Sequence, residues 1–404
     1  MIKRIEKSKA EGKILAPSSK SVAHRMLIAA AMCKGQKSVI TRITPCEDVL
    51  ATIDCLRTLG VEIEYDGNTA TVIGIDFTKA KPTGVLNCRE SGSTLRFLIP
   101  IAMLSGSKVV FGGSERLMER PQGVYEKIAN EYGLTLTRGE KSITVKGPLQ
   151  AGEYFIDGSV SSQFFTGLLF ALSTLSGDSK IIVNKAIESR PYVDLTVSAM
   201  RHFGVKVYND TDWSFFIFGG QEYRGKSISV EGDWSGAAFL EAFNHIGGNV
   251  KINGLDSESC QGDRICSELF NRLSSEFAEI NIENCPDLAP ILFTVAAHKN
   301  GGRFTGTRRL KIKESDRAEV MKAELSKFGA ELIIEENSVT VLKRELHAPS
   351  ERLCGHNDHR IVMSLAVLCT LYGGEIEGCE AVSKSYPDFF EDIKSLGINF
   401  YEVN

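Results

Sequence analysis

Six stretches of the chain share one design. A small polar residue opens a run that is apolar on nearly every side, and the run closes on glycine: Ser19 to Gly35, Ser91 to Gly106, Ser161 to Gly177, Ser235 to Gly247, Asp287 to Gly301 and Asp358 to Gly373. Runs such as SQFFTGLLFALSTLSG and HRIVMSLAVLCTLYGG have almost no polar face, which predicts helices enclosed by other elements. The closing glycines stand 71, 71, 70, 54 and 72 residues apart, so one supersecondary unit recurs. After each glycine a short segment follows, among them KSVI, KVVF, KIIV and NVKI, whose β-branched residues predict a strand. In most units a second, amphipathic helix ends near Leu59-Gly60, Tyr132-Gly133, Phe203-Gly204, Phe328-Gly329 or Leu396-Gly397, and leads into alternating strands such as VEIEYDGNTATVIG. The predicted unit is strand, apolar helix, strand, amphipathic helix, strand, turn, strand. It occurs six times. The fourth copy is about 17 residues short, and its deficit falls around Ser274 to Glu283, where EFAEINIE offers one strand in place of two.

With 404 residues the chain exceeds what one hydrophobic core sustains, and three units per domain in two domains is the expectation. A composition of 43% apolar and 24% charged residues excludes a disordered chain, and no apolar run reaches the length of a membrane span. The charged N-terminus, MIKRIEKSKAEGKILAPSSK, lacks the apolar stretch of a secretory signal, so a cytoplasmic protein is expected. The net charge of −4 provides no global field for nucleic acid or anionic lipid, and an anionic ligand must meet a local basic patch. The ten cysteines are irregularly spaced with no C-x-x-C pair, and read as reduced, mostly buried thiols.

Such a patch is suggested at the helix starts. Lys20, Arg96 and Arg360 each lie at or just inside the beginning of an otherwise apolar helix, where the backbone dipole already presents positive charge. A cation there is misplaced unless an anion joins it, and several such helix ends, if they converge, make an anion site. Arg25, Arg120, Lys313, Arg317 and Lys384 stand beside the same segments. GSVSSQF adds hydroxyls and an amide at another helix start, beyond what a single cap uses. Two carboxylates beside cations, Asp287 and Glu314, could support proton transfer, with a plain N-cap as the alternative for Asp287. The segment GQEYRGKS, Gly220 to Ser227, matches the phosphate-loop pattern letter for letter. That motif requires a helix beginning at the lysine, whereas SISVEG alternates as a strand, so no nucleotide site is expected there.

Taken together and in order, SSKSVAHR, ESGSTLRFLIP, ERPQG, DGSVSSQF, SRPYVD, KIKESDR, NDHRIVMSLAV and KSYPDFFEDI resemble the 5-enolpyruvylshikimate-3-phosphate synthase family over almost the whole chain. The resemblance implies a two-domain inverse α/β barrel of six βαβαββ-type repeats, helices buried and sheets outside. The domains implied are residues 16–231, and residues 1–15 with 232–404, with the active site in the cleft between them. It implies a monomer that needs no metal or cofactor and takes phosphoenolpyruvate and shikimate 3-phosphate. By the same resemblance Lys20, Ser21, Arg25, Ser161, Ser162, Gln163, Ser189, Asp287 and Lys313 bind shikimate 3-phosphate. Lys20, Gly92, Arg96, Arg120, Gln163, Arg317, Arg360 and Lys384 hold phosphoenolpyruvate, and Lys20, Asp287 and Glu314 carry the proton transfers. The chain departs from the family at Glu90, where many members have asparagine, at Ser93, where threonine is usual, at Phe97, where many have proline or leucine, and at Arg309, where some have asparagine. A UDP-N-acetylglucosamine enolpyruvyl transferase is the nearest rival, but that family's cysteine before the R-P segment is missing from GGSERLMERP. A non-catalytic receptor for anionic metabolites is the rival from another class.

Overall fold

Each enclosed run folds as a helix, in a computed structural model that describes residues 1–211 and 213–403. Residues 20–230 form one compact unit, and residues 1–19 with 231–404 the other. The first unit contains α1 (Lys20–Ala31), α2 (Glu47–Thr58), α3 (Gly92–Ala102), α4 (Glu115–Glu119), α5 (Gly123–Tyr132), α6 (Ser162–Leu172) and α7 (Arg190–His202). Its core helices α1, α3 and α6 are buried almost throughout; in α3 only Ser93 and in α6 only Gln163 reach the solvent appreciably. Serine oxygens cap two of them: Ser91 accepts from the Thr94 amide and Ser161 from the Gln163 amide. α3 and α6 approach so closely that a Cβ on Gly167 would stand 2.5 Å from the Arg96 carbonyl oxygen, so glycine is required there.

Among the described residues the first unit has three four-stranded sheets. In each, the strand after the core helix, Lys37–Thr41, Lys108–Gly112 or Ser179–Val183, pairs in parallel with a leading strand and antiparallel with a hairpin strand. Two leading strands immediately precede their helices, and the third, Ser227–Ser229, comes from the far end of the unit to pair with Lys37–Thr41. A strand therefore begins directly after Lys226, and no helix begins in the phosphate-loop-like segment, as the alternation of SISVEG requires.

The other unit contains α8 (Trp234–His245), α9 (Cys266–Ser275), α10 (Ala289–His298), α11 (Arg317–Ser326), α12 (His359–Tyr372) and α13 (Phe389–Ser395). Its core helices are α8, α10 and α12. The chain's first residues complete its sheets twice. Ile2–Ile5 lies antiparallel between Gly374–Glu377 and Phe400–Val403, taking the hairpin place of the sixth repeat, and Glu11–Leu15 pairs in parallel with Asn249–Asn253. That second pair is the whole sheet of the fourth repeat, a two-stranded remnant consistent with the missing residues. Ala278–Asn281, the strand expected in EFAEINIE, instead leads the fifth sheet beside Gly302–Thr305. Ser18 bridges Gly232 and the Ser19 amide donates to the Glu231 carbonyl, so residues 16–19 stay with this unit and the division falls after Ser19 rather than residue 15.

Two helix starts differ from the sequence reading. The fourth core helix is capped by Asp233, whose carboxylate accepts from the Gly236 amide at 3.1 Å, with Ser235 already inside the helix. Asp and Ser cap comparably, but only the carboxylate also answers the positive helix end. The fifth begins at Ala289, after a 3₁₀ turn Pro286–Leu288 that contains Asp287. Asp287 is not the cap, because its carboxylate is drawn into ion pairs with side chains from other elements.

Candidate active site

In the unit of residues 20–230 the predicted site residues collect at the starts of the buried helices. Lys20, the first residue of α1, donates to Asp48 Oδ2 at 2.8 Å, and Asp48 sits in the first turn of α2. Behind this pair a fully buried chain runs from His24 Nδ1 to Thr52 Oγ1 and on to Thr94 Oγ1, each step 2.7 Å, then to the Ser91 cap at 2.8 Å, tying the starts of α1, α2 and α3 together. Burial and the neighbouring Lys20 and Arg25 push the His24 imidazolium well below its usual range, so the ring is neutral.

Arg25 is 2% exposed, yet its hydrogen-bond partners are all uncharged: the carbonyls of Ser21 (2.7 Å) and Tyr192 (2.9 Å) and the hydroxyls of Thr196 (2.9 Å) and Thr166 (3.3 Å). Burial lowers its pKa to about 9. Thr166 in turn donates to the Ser162 carbonyl, so Arg25 is anchored to the start of α6 that carries Ser161, Ser162 and Gln163. Ser189, buried ahead of α7, has a left-handed backbone (φ 58°). A buried cation among neutral acceptors is stabilised by an anion that binds beside it.

A second group surrounds Gly92. Arg96 Nη1 donates to Gln163 Oε1 at 2.8 Å, and Gln163 Nε2 donates to Ser93 Oγ at 3.1 Å. A Cβ on Gly92 would lie 2.7 Å from Arg120 Nη1 and 3.6 Å from Gln163 Oε1, so Gly92, Arg120 and Gln163 meet at one spot, and a side chain on Gly92 would push the Arg120 guanidinium aside. Arg96 is also held by the Pro121 carbonyl at 3.0 Å and lies over the Phe164 ring. Its own carbonyl is placed by an unusual device. Pro100, four residues on in α3, has no N–H to give it, and the Tyr125 hydroxyl donates to it instead at 2.7 Å.

In the other unit Arg317 is the hub. It is 1% exposed and donates to Asp287 Oδ1 (2.7 Å), Glu314 Oε2 (2.7 Å) and Asp358 Oδ2 (2.9 Å). Burial pulls its pKa down, but Asp358, Glu314 and Asp287 more than offset this and raise it. Asp287 gathers two further cations, Lys313 Nζ at 3.2 Å and Arg360 Nη2 at 3.3 Å. Burial lowers the Lys313 pKa against the opposing pull of Asp287. Arg309 joins this neighbourhood from the turn Arg308–Ile312 and adds to the lowering at Lys313. Lys384 lies on a separate contact, donating to the Asn357 carbonyl at 2.5 Å, one residue before the Asp358 cap of α12. Asp263, buried to 2%, has one carboxylate oxygen without a hydrogen-bond partner; burial first and Asp287 second raise its pKa to about 7, opposed by Arg360 and Ser235.

Sequence reasoning missed Asp48, Tyr125, Asp263 and Asp358 as members of this network. Asp358 was visible as a cap, and Asp48 as an acid in the first turn of an amphipathic helix. Their second roles depend on partners far away in sequence.

Chemically, each unit offers a cation-rich group with carboxylates placed beside the cations, suited to ligands carrying phosphate or carboxylate groups and to proton transfer. Among the described residues no group of three His, Cys, Asp or Glu side chains is placed to hold a metal ion, and no helix is long and apolar enough to cross a membrane.

Residues 5–393 match the family model described as EPSP synthase (3-phosphoshikimate 1-carboxyvinyltransferase). The chain is 39% identical to the 3-phosphoshikimate 1-carboxyvinyltransferase of Clostridium kluyveri, over 97% of this chain and 96% of that one. It is 37% identical to the enzyme of the same name from Clostridium botulinum strain Eklund 17B, over 99% and 98%. Among solved structures, EPSP synthase from Acinetobacter baumannii superposes with a TM-score of 0.81 at 23% identity, covering 99% of this chain and all of that one. The enolpyruvyl transferase NikO from Streptomyces tendae gives 0.75 at 13% identity, over 100% and 98%. These two likenesses establish a shared mixed α/β fold.

Proposed function

This chain belongs to the EPSP synthase family, and from that premise we propose how its residues carry the reaction. The activity is transfer of the carboxyvinyl group of phosphoenolpyruvate to the 5-hydroxyl of shikimate 3-phosphate, with release of phosphate, a step of the shikimate pathway. It proceeds by addition and elimination. The hydroxyl attacks C2 of phosphoenolpyruvate while the methylene carbon gains a proton, giving a tetrahedral ketal phosphate; loss of a proton and of phosphate then forms the enol ether.

The observation that carries the site assignment is Arg25, a buried cation satisfied only by neutral groups and linked through Thr166 to the serines that open α6. Shikimate 3-phosphate supplies the anion this arrangement favours, with Lys20, Ser21, Ser161, Ser162, Gln163 and Ser189 as its other partners in that unit and Asp287 and Lys313 in the other. Phosphoenolpyruvate takes the Gly92, Arg96, Arg120 and Gln163 group together with Lys20, Arg317, Arg360 and Lys384. Since Arg317 is committed to three carboxylates, an anion that reaches it must displace one, and Glu314 is the most exposed of the three. That exchange gives Glu314 its chemistry: a carboxylate released from Arg317 becomes basic enough to take up a proton and pass it to the methylene carbon, with Lys20 sharing the transfer. Asp287, among Lys313, Arg317 and Arg360, receives the proton of the attacking hydroxyl. The cations stabilise the charge on the intermediate.

The reading is tested by phosphate release in a chelator-treated sample. Release should require phosphoenolpyruvate and shikimate 3-phosphate together. Equal release with UDP-N-acetylglucosamine in place of shikimate 3-phosphate would refute it.

A further inference from the structure

Glu324 is buried deep in α11 and has no part in the chemistry above, yet it is one of the most heavily engaged carboxylates of its unit. Its side chain is 3% exposed. Oε2 accepts from the Cys354 amide at 2.9 Å, Oε1 meets His356 Nε2 at 2.8 Å, and Lys327 Nζ lies 3.0 Å from Oε2. Cys354 and His356 belong to the loop that leads into α12. In that loop His356 (φ 48°) and Asn357 (φ 52°) are both left-handed, a conformation that residues other than glycine adopt rarely and hardly ever in succession.

The same helix holds the loop's other end. Arg317 begins α11 and donates to Asp358, the residue after Asn357, while Glu324 lies seven positions on, two turns along the same face. The loop is thus pinned at Cys354, His356 and Asp358 by one helix. Between the pins the Asn357 carbonyl accepts from Lys384 Nζ at 2.5 Å, and beyond them Asp358 caps α12 through the Arg360 amide at 3.0 Å. A left-handed residue turns its carbonyl away from the direction an extended or helical residue would give it. The hold on Lys384 therefore depends on the backbone state that the pins maintain.

We propose that Glu324 is a positioning residue for phosphoenolpyruvate: its grip on Cys354 and His356 keeps the loop in its left-handed form, so that the Asn357 carbonyl fixes the Lys384 ammonium. The proposal rests on the assignment of Lys384 to the phosphoenolpyruvate site made above. The residue touches no substrate and acts only through Asn357 and Lys384.

Two variants test it, each assayed as the full chain. His356→Ala removes a half-exposed ring and leaves Glu324 its bonds to Cys354 and Lys327, so the fold persists; Glu324→Gln removes the charge but keeps an acceptor for the Cys354 amide. Each should raise KM for phosphoenolpyruvate roughly tenfold, the loss expected for one charge-assisted contact, while KM for shikimate 3-phosphate stays within about twofold. Hydrogen exchange at residues 354–358 should accelerate in both. In a Lys384→Met background, itself weakened for phosphoenolpyruvate, His356→Ala should add nothing further. Unchanged KM for phosphoenolpyruvate in both variants, equal losses for the two substrates, or a full additional loss on top of Lys384→Met would each overturn the proposal. Absence of turnover in the wild-type enzyme with both substrates would instead overturn the function on which it rests.

Discussion

The bond from Tyr125 to Arg96 offers a quantitative test of how the residues around Gly92 are held. Tyr125→Phe deletes one oxygen and keeps the ring, which packs edge-on against Phe164 with centroids 4.8 Å apart. The Arg96 carbonyl, which has no N–H from Pro100, would then lose the buried hydroxyl that donates to it. The space released is that of a single oxygen, bordered by Gly167 and the Arg96 carbonyl. An unsatisfied buried carbonyl costs about 1–3 kcal/mol. Urea unfolding followed by circular dichroism should show a loss of that size. Because Arg96 carries Gln163, KM for phosphoenolpyruvate should rise as well. The decisive variant is Pro100→Ala, which restores an N–H four residues after Arg96. In the Tyr125→Phe background it should recover most of the loss, and in the wild type it should change little. If the two substitutions prove additive within about 0.5 kcal/mol, the hydroxyl is not standing in for the missing amide and the reasoning fails.

Two further outcomes are expected. Glu314→Gln should keep affinity for both substrates while lowering turnover roughly 10²- to 10⁴-fold, with less solvent deuterium entering the methylene group; wild-type turnover would move the acid role to Lys20, and a loss of affinity alone would make Glu314 a partner of Arg317 only. Asp263 should make the protein less stable as pH rises: its carboxyl titrates near 3.8 in the unfolded chain and near 7 in the fold, so between these values the native state holds a proton that the unfolded state has lost. Stability then falls by up to ~1.4 kcal/mol per pH unit across that window and levels off above it. Asp263→Asn should flatten the fall, and parallel urea midpoints for the two proteins from pH 5 to 8 would refute the assignment.

Much of this organisation was legible in the sequence because it is local. A serine or aspartate before an apolar run places the starts of α3, α6 and α12 to within a residue, and the glycine after it marks the end of α12, while α3 and α6 stop four and five residues before theirs. The misplacements, by contrast, arise from contacts that are distant in sequence. EGDWSG contains two competent caps, and the sequence gives no reason to prefer Asp233 until the chain is seen leaving Gly232 beside Ser18. Asp287 has the right position for a cap but sits in a proline-flanked turn, and the pull of Lys313, Arg317 and Arg360 on its side chain is set by residues up to 73 positions away. The clustering of Gly92, Arg120 and Gln163 could be expected only from the family resemblance. Tyr125 and Glu324 had no signal at all, since a tyrosine on an amphipathic helix and a glutamate in KAELSKF read as ordinary until their acceptors and donors are known.

The two strands at the start of the chain have a consequence for the order of events on the ribosome. Ile2–Ile5 and Glu11–Leu15 emerge long before their sheet partners, residues 249–253, 374–377 and 400–403, have been made. Residues 20–230 find all their sheet partners among themselves and can fold as soon as Ser227–Ser229 is available to close the first sheet. A nascent chain must therefore carry an unpaired N-terminal segment past a finished unit and keep it from pairing elsewhere. Its charged residues suit that wait: MIKRIEKSKAEGK alternates lysine, arginine and glutamate with its few apolar side chains, which keeps a solitary strand soluble. Ile2–Ile5 must then insert centrally into its sheet, between Gly374–Glu377 and Phe400–Val403, whereas Phe400–Val403 adds at that sheet's edge.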